Sequence, residues 1–423
     1  MVHRASTSPL RVAILHYACP PVLGGVESIM ATHARLLSAN GHKPYLLAGR
    51  GDPRTIGLQG TIIPELDSRH PDILGVQKAL LGDEIGSARR FEEWVECIYG
   101  LLVGALDGAD ACIVHNVFTM HKNLPLTAAL ARLAERGEGA RRWIAWCHDL
   151  AWTNPLYREE LQPRWPWTLI SARLPGVTYV AISQQRREEM AALFGMPASD
   201  IEVVPNGIDP AAFLPASRQM LALQKEVRWG KREWVFLAPV RITRRKNLEL
   251  AIDIIAAMKE LGQRPLLLVT GPPGPHNVRS TEYLNELMAR RAALGLTDEV
   301  VFLAVEGNMG RGMEVSDVLL DELYWWSDAL LLTSTQEGFG LPILEAGLVR
   351  LPIFCTHIPV LHEVAGDNAV YFHPDDPPAE IASMMLRVLT EPGPAAMRHH
   401  VLKTYSWDVI FHSGLMRVLQ PGV

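Results

Sequence analysis

DALLLTSTQEGFGLPILEAG, residues 328–347, runs from a buried strand through a glycine-rich loop into the start of a helix. The apolar run 328–334 reads as a strand, so Glu337 leaves its carboxyl end, where doubly wound sheets bind ligands. Gly338 and Gly340 allow the backbone to come close to a ligand, and Pro342 suits a helix's first turn. If that helix starts near Leu341, Glu345 lies about one turn in, on a face that still looks back at the loop. Two carboxylates so placed accept hydrogen bonds from vicinal hydroxyls, one pair on a hexose and one on a ribose. The same residues also suit a plain strand-to-helix turn whose glutamate answers the helix dipole.

Outward from this run, strand-like and helical stretches alternate along the chain, the pattern of parallel sheets covered by helices on both faces. Residues 11–17, 43–49, 111–116, 142–148 and 177–183 read as strands of a first half, and 234–240, 265–271, 299–305, 328–334 and 351–356 as those of a second. The fold class is α/β, with two Rossmann-like domains. Pro205, Asn206, Gly207 and Pro210 break regular structure between the halves. The expected domains are 1–215, 216–404 and a terminal helix within 405–423, where Trp407, Ile410, Phe411, Leu415 and Leu419 are spaced for packing.

A chain of 423 residues exceeds what one core usually supports, which favours two domains. A net charge of −6 lacks the electrostatic footprint of a nucleic-acid binder. Five widely spaced cysteines without a CxxC pair favour reduced thiols in a cytosolic compartment. No signal-peptide core and no apolar run of spanning length is read, so a cytoplasmic protein without a transmembrane segment is expected.

Several loops carry candidate chemistry. Gly24 and Gly25 open a helix and offer free amides to an anion such as a diphosphate, or make a tight turn only. The dinucleotide fingerprint GxGxxG and the GxxxxGK[ST] loop are absent. Arg241 and Lys246 follow the first strand of the second half, where two cations suit a leaving nucleoside diphosphate; Arg244 and Arg245 between them also fit a solvated basic loop. Gly271, in TGPPGP (270–275), and Glu306 follow the next two strands and would line the same crevice edge, or belong to plain loops, the reading favoured for any single side chain there. His115 with Asn116, and His148 with Asp149, end neighbouring strands of the first half. Trp146, Trp152, Trp165 and Trp167 surround them, either as a platform for a sugar face or as core. No HExxH, EF-hand loop or Cys/His cluster is read, and no bound metal or tightly held cofactor is expected.

GGVE (24–27), CHD (147–149), VPNGID (204–209), Arg241 with Lys246, and EGFGLPILEA (337–346) together resemble the retaining glycosyltransferases of family four, in order and over nearly the whole chain. That resemblance implies the GT-B fold: two Rossmann-like domains facing a central cleft, with a C-terminal helix crossing back to the first. It implies a nucleotide-sugar donor and a hydroxyl acceptor, and metal-independent transfer of a hexose. Catalytic roles would fall to Glu337, His148, Arg241 and Lys246. Donor contacts would come from Gly24, Gly25, Arg241, Lys246, Gly271, Glu306, Phe339, Gly340, Leu341 and Glu345. Acceptor contacts would come from Asn116, Asp149 and Trp152. GNMGRGMEVSD (307–317) is longer than the family pattern, which puts the base contacts in doubt. The segment 152–167, with 344–359, is similar to synthases that glycosylate glyceric-acid glycosides, and GDP-mannose or UDP-glucose would serve as donor. A sugar-nucleotide epimerase, a phosphorylase or a non-catalytic sugar-nucleotide-binding subunit on the same fold is the rival reading.

Overall fold

The computed structural model describes residues 8–273 and 278–421. They form two compact units, Met1–Gly207 with Ile410–Val423, and Ile208–Val409. The first seven residues and the end of the 270–275 loop lie outside the described residues.

The first unit is built on β1 (Arg11–Ala18), β2 (Lys43–Arg50), β3 (Gly60–Ile62), β4 (Ala111–His115), β5 (Trp143–Cys147), β6 (Val177–Ala181) and β7 (Ile201–Val203), in the order 3-2-1-4-5-6-7. Every pairing is parallel. Because helices cover both faces, the central strands are apolar throughout rather than alternating; Val12, Ala13, Ile14 and Leu15 are wholly buried in succession. The second unit repeats the plan with β8 (Trp234–Ala238), β9 (Pro265–Val269), β10 (Val300–Phe302), β11 (Ala329–Leu332), β12 (Ile353–Thr356) and β13 (Val370–Phe372), ordered 10-9-8-11-12-13 and again parallel.

In each sheet the strand order reverses direction once, at β1/β4 and at β8/β11. The loops leaving these strands part to opposite faces there, opening a crevice at the carboxyl ends. Those loops carry most of the expected residues.

One strand expectation is corrected. The run 299–305 is extended only from Val300 to Phe302, and Leu303 begins a helix to Gly310. Glu306 explains the early turn: its carboxylate reaches back to the Phe302 N–H at 3.3 Å and grips Arg291. The terminal helix runs from Trp407 to Leu419 through one wider π-type turn at Phe411–Leu415. The chain re-enters the first unit inside it, at Ile410. Gly414 makes that packing possible, since a Cβ there would come within 2.6 Å of Val204 Cγ1. Arg417 then pairs with Glu202 at 2.6 Å. Four of the five cysteines are buried, Cys97 is exposed, and all are free thiols.

Candidate active site

At the end of β1 the chain turns into the helix Gly25–Ala39 through Gly24, whose extended backbone (φ −179°) provides no side-chain cap. The first-turn amides therefore remain unclaimed, a ready anion site. A Cβ on Gly24 would stand 2.1 Å from Glu27 Oε2, so the missing side chain leaves room for that carboxylate to fold over the helix start.

Beside it, four histidines from four elements are linked through His115: His115, ending β4, and His33, on the helix Gly25–Ala39, both lie against the Trp146 ring, while His148 after β5 and His16 on β1 each contact His115. His115 Nδ1 and His148 Nε2 are 3.0 Å apart, with the rings stacked at 5.3 Å. His16 Nδ1 lies 2.9 Å from the His115 carbonyl oxygen. Burial holds all four neutral near pH 7: His148 falls to about 4 and His33 to about 3, and His115 is driven well below its usual value. His16 is also lowered by burial, opposed by its bond to the His115 carbonyl and by the charge of Glu27.

Asn116 takes a left-handed conformation (φ 61°), which aims its amide at the turn after β5. Its Oδ1 accepts from the His148 N–H (2.7 Å) and the Asp149 N–H (3.1 Å), while Nδ2 donates to Asp149 Oδ2 (3.1 Å). Asn116 thus fixes the CHD turn, and Asp149 stays exposed. Trp152 is half-buried with its N–H donated to the Trp167 carbonyl at 3.2 Å. Trp146 and Trp167 are core residues, whereas Trp165 is 46% exposed and edges onto Phe91.

In the second unit, Glu337 leaves β11 with its carboxylate nearly covered. Lys246 Nζ donates to Oε1, Ser334 Oγ donates to the same oxygen at 2.6 Å, and Arg245 Nη1 stands 3.9 Å from Oε2. The loop after β8 is held against this turn by Thr333 Oγ1, which donates to the Lys246 carbonyl at 2.9 Å, and by the Thr335 N–H on the Arg245 carbonyl at 2.8 Å. Lys246 is buried; Arg241 is exposed and has no ion-pair partner among the described residues. Arg244 is absorbed by Glu286 at 2.6 Å and by the Tyr283 ring.

Arg241 borders a crevice of about 680 Å³ whose other walls include Gly271, Pro272 and, from the long segment, Arg311, Met313 and Glu314. Gly271 is obligatory there, because a Cβ would lie 2.4 Å from the Val240 carbonyl oxygen. The Glu306 carboxylate does not open into this space: both oxygens are engaged by the Arg291 guanidinium, at 2.5 and 2.7 Å.

Gly340, at φ +102°, turns the loop into the helix Leu341–Leu348 with Pro342 in its first turn. Phe339 and Leu341 are exposed around it. Glu345 receives a hydrogen bond from the Tyr324 hydroxyl at 2.5 Å. Burial and that carboxylate both raise the Tyr324 pKa, so the phenol stays a donor. Neither Tyr324 nor Ser334 stands in a recognisable spacing, so their partnership with the two glutamates was not legible before the fold was known. His16 and His33 were hidden inside apolar runs, although polar rings in such runs are themselves a signal.

Residues 23–212 match the family described as Glycosyltransferase Family 4, and residues 221–404 match Glycosyl transferases group 1. The chain belongs to the family 4 glycosyltransferases. Such enzymes transfer a sugar from a nucleotide-sugar donor with retention, on the two parallel sheets of the GT-B fold seen here. This family 4 chain is 24% identical over 372 residues to a mannosylglucosylglycerate synthase of Thermotoga maritima, covering 81% of the chain and 80% of that protein. The Petrotoga mobilis protein of the same name is 24% identical over 375 residues, with 83% of each covered. A solved sucrose-phosphate synthase from Thermosynechococcus elongatus aligns over 96% of this chain and 98% of that one, at 16% identity and TM-score 0.37. No described helix is long and apolar enough to cross a membrane.

Proposed function

We propose that this glycosyltransferase moves a hexose from a nucleoside-diphosphate sugar to a hydroxyl of a small glycoside of glyceric acid, without a metal ion. The single observation that carries the donor half is the Glu337 carboxylate, nearly covered and held by Lys246 and Ser334. It supports a group built to orient sugar hydroxyls rather than to attack carbon. In the reaction the anomeric C–O bond to the diphosphate breaks as the acceptor oxygen bonds to the same face. The acceptor proton passes to the leaving phosphate oxygen. Arg241, Lys246 and the helix-start amides of Gly24, Gly25, Phe339, Gly340 and Leu341 meet the growing negative charge. Glu345, steadied by Tyr324, takes the ribose hydroxyls, and His148 contacts the transferred hexose. The exposed Asp149 and the half-buried Trp152 serve the acceptor. The acceptor class rests on the two mannosylglucosylglycerate synthases.

Two experiments test this reading. A thermal-shift panel of UDP, GDP and ADP sugars identifies the donor, since a ligand bound only by the folded state raises Tm. Product analysis with glucosylglycerate as acceptor and GDP-mannose or UDP-glucose as donor then identifies the reaction; release of an epimerised nucleotide sugar without acceptor would favour the epimerase reading. Metal independence is checked in the same assay. Arg241 and Lys246 supply positive charge that a divalent ion would otherwise provide. Prolonged EDTA treatment is expected to leave most activity, and activity restored only by stoichiometric metal would remove the charge-stabilising role from both side chains.

A further inference from the structure

The histidine group in the first unit contains one residue that no substrate role explains. His115 is wholly buried, ends β4, and spends its Nδ1 on His148. Its Nε2 is buried without a hydrogen-bond partner among the described residues.

Proton positions follow from elementary bookkeeping. A carbonyl oxygen only accepts, so His16 must carry its proton on Nδ1 to bond the His115 carbonyl. Between His115 and His148 two arrangements are open. If His148 Nε2 donated, a neutral His115 would hold its own proton on Nε2, leaving an N–H buried with no acceptor. If His115 Nδ1 donates, Nε2 is a bare acceptor instead. Orphaned buried N–H groups are the rarer of the two defects. The second arrangement also leaves His148 protonated on Nδ1, the ring nitrogen with no partner among the described residues.

We propose that His115 is a positioning residue, whose Nδ1–H fixes His148 as the neutral Nδ1–H tautomer and so makes that group a hydrogen-bond donor to substrate. The inference rests on the contact between His148 and the transferred hexose proposed above. The geometry around the pair supports it. Asn116 locks the His148 backbone while His115 locks the ring, so both ends of the side chain are fixed before substrate arrives. Lowered basicity in both rings keeps the pair neutral, so the proton order is not scrambled near pH 7.

The experiment combines kinetics with nitrogen NMR of histidine-labelled enzyme. Turnover is read as nucleoside diphosphate released from GDP-mannose or UDP-glucose with glucosylglycerate. His115→Ala is expected to lower kcat by about tenfold or more with a much smaller change in donor KM, the mark of an interaction that matters chiefly in the transition state. His115→Asn, whose amide can donate from nearly the same place as Nδ1, is expected to recover most of that loss. Adding His115→Ala to His148→Ala should cost nothing further, whereas a general structural defect would cost the same again. In the wild-type enzyme the His148 resonances should show a protonated Nδ1 and a bare Nε2. A protonated Nε2 on His148 overturns the proposal, as does full additivity of the two alanine changes. If His148→Ala alone keeps full turnover, the hexose contact fails, and the NMR tautomer still decides the His115 assignment. The wild-type spectrum needs no variant to fold.

Discussion

Glu337 shows why a single carboxylate in this enzyme must be judged by what already holds it. Its Oε1 receives both Lys246 and Ser334, so the group is fixed in place and its charge is partly balanced before any sugar binds. Glu337→Gln preserves the shape but exchanges one acceptor for a donor that would face the Lys246 ammonium. Turnover is expected to fall roughly 100-fold or more, by analogy with other groups that act at the transition state. Steady-state rates with saturating donor check this, and near-wild-type kcat would remove Glu337 from the mechanism. Tyr324 makes a different kind of contribution. Its hydroxyl orients Glu345, and Tyr324→Phe keeps the buried ring while deleting that bond. Donor KM is expected to rise with kcat little changed, and stability to drop by about 1.5–3 kcal/mol, as for a hydrogen bond to a charged group. Calorimetry with GDP and UDP and a urea titration report the two effects separately. Unchanged nucleotide affinity would leave Glu345 without its proposed ribose contact.

At the level of elements, the helix Leu341–Leu348 depends on one backbone conformation. Gly340 holds φ +102°, and a Cβ there would also come within 2.9 Å of Leu361 Cδ2. Gly340→Ala should cost about 1–3 kcal/mol through backbone strain. It should also weaken donor binding, because the turn that carries the amides must shift. A urea midpoint equal to wild type would show that the turn has room to relax. This loop was legible in the sequence, down to the helix start at Leu341, since glycine and proline impose local geometry whatever surrounds them. The ten strands foreseen are likewise present because a sheet covered on both faces needs uninterrupted apolar runs. What escaped was set by tertiary context. β3, β7 and β13 are three-residue edge strands, too short to show a period. The end of β10 was misread because LAV continues its apolar run, and only the Arg291 and Glu306 pair reveals why the chain coils there. Residue positions around the candidate site were readable at strand ends. Their partners were not, because Lys246 meets Glu337 and His115 meets His148 across long sequence separations.

Across the whole molecule, the neutral histidines tie the stability of the first unit to pH. His33 and His148 have folded pKa values of about 3 and 4, below the ordinary 6.5, and His115 is displaced the same way. Above pH 6.5 these rings are neutral in both folded and unfolded chains and contribute no pH dependence. As pH falls below 6.5 the unfolded chain takes up protons that the folded chain refuses, so stability declines until the folded values are reached. Each such histidine contributes a slope approaching about 1.4 kcal/mol per pH unit between those limits. Urea midpoints should therefore drop markedly from pH 7 to pH 5, a range in which most carboxylates remain ionised. His33→Leu would remove one of these sites together with its burial cost, and should flatten the decline by about one proton if the variant keeps its fold. His148→Gln provides an independent check at the edge of the cluster, where the ring is less enclosed. A midpoint constant between pH 7 and pH 5 would mean that the cluster protonates in the folded state, and the neutral pair assigned to His115 and His148 would fall with it.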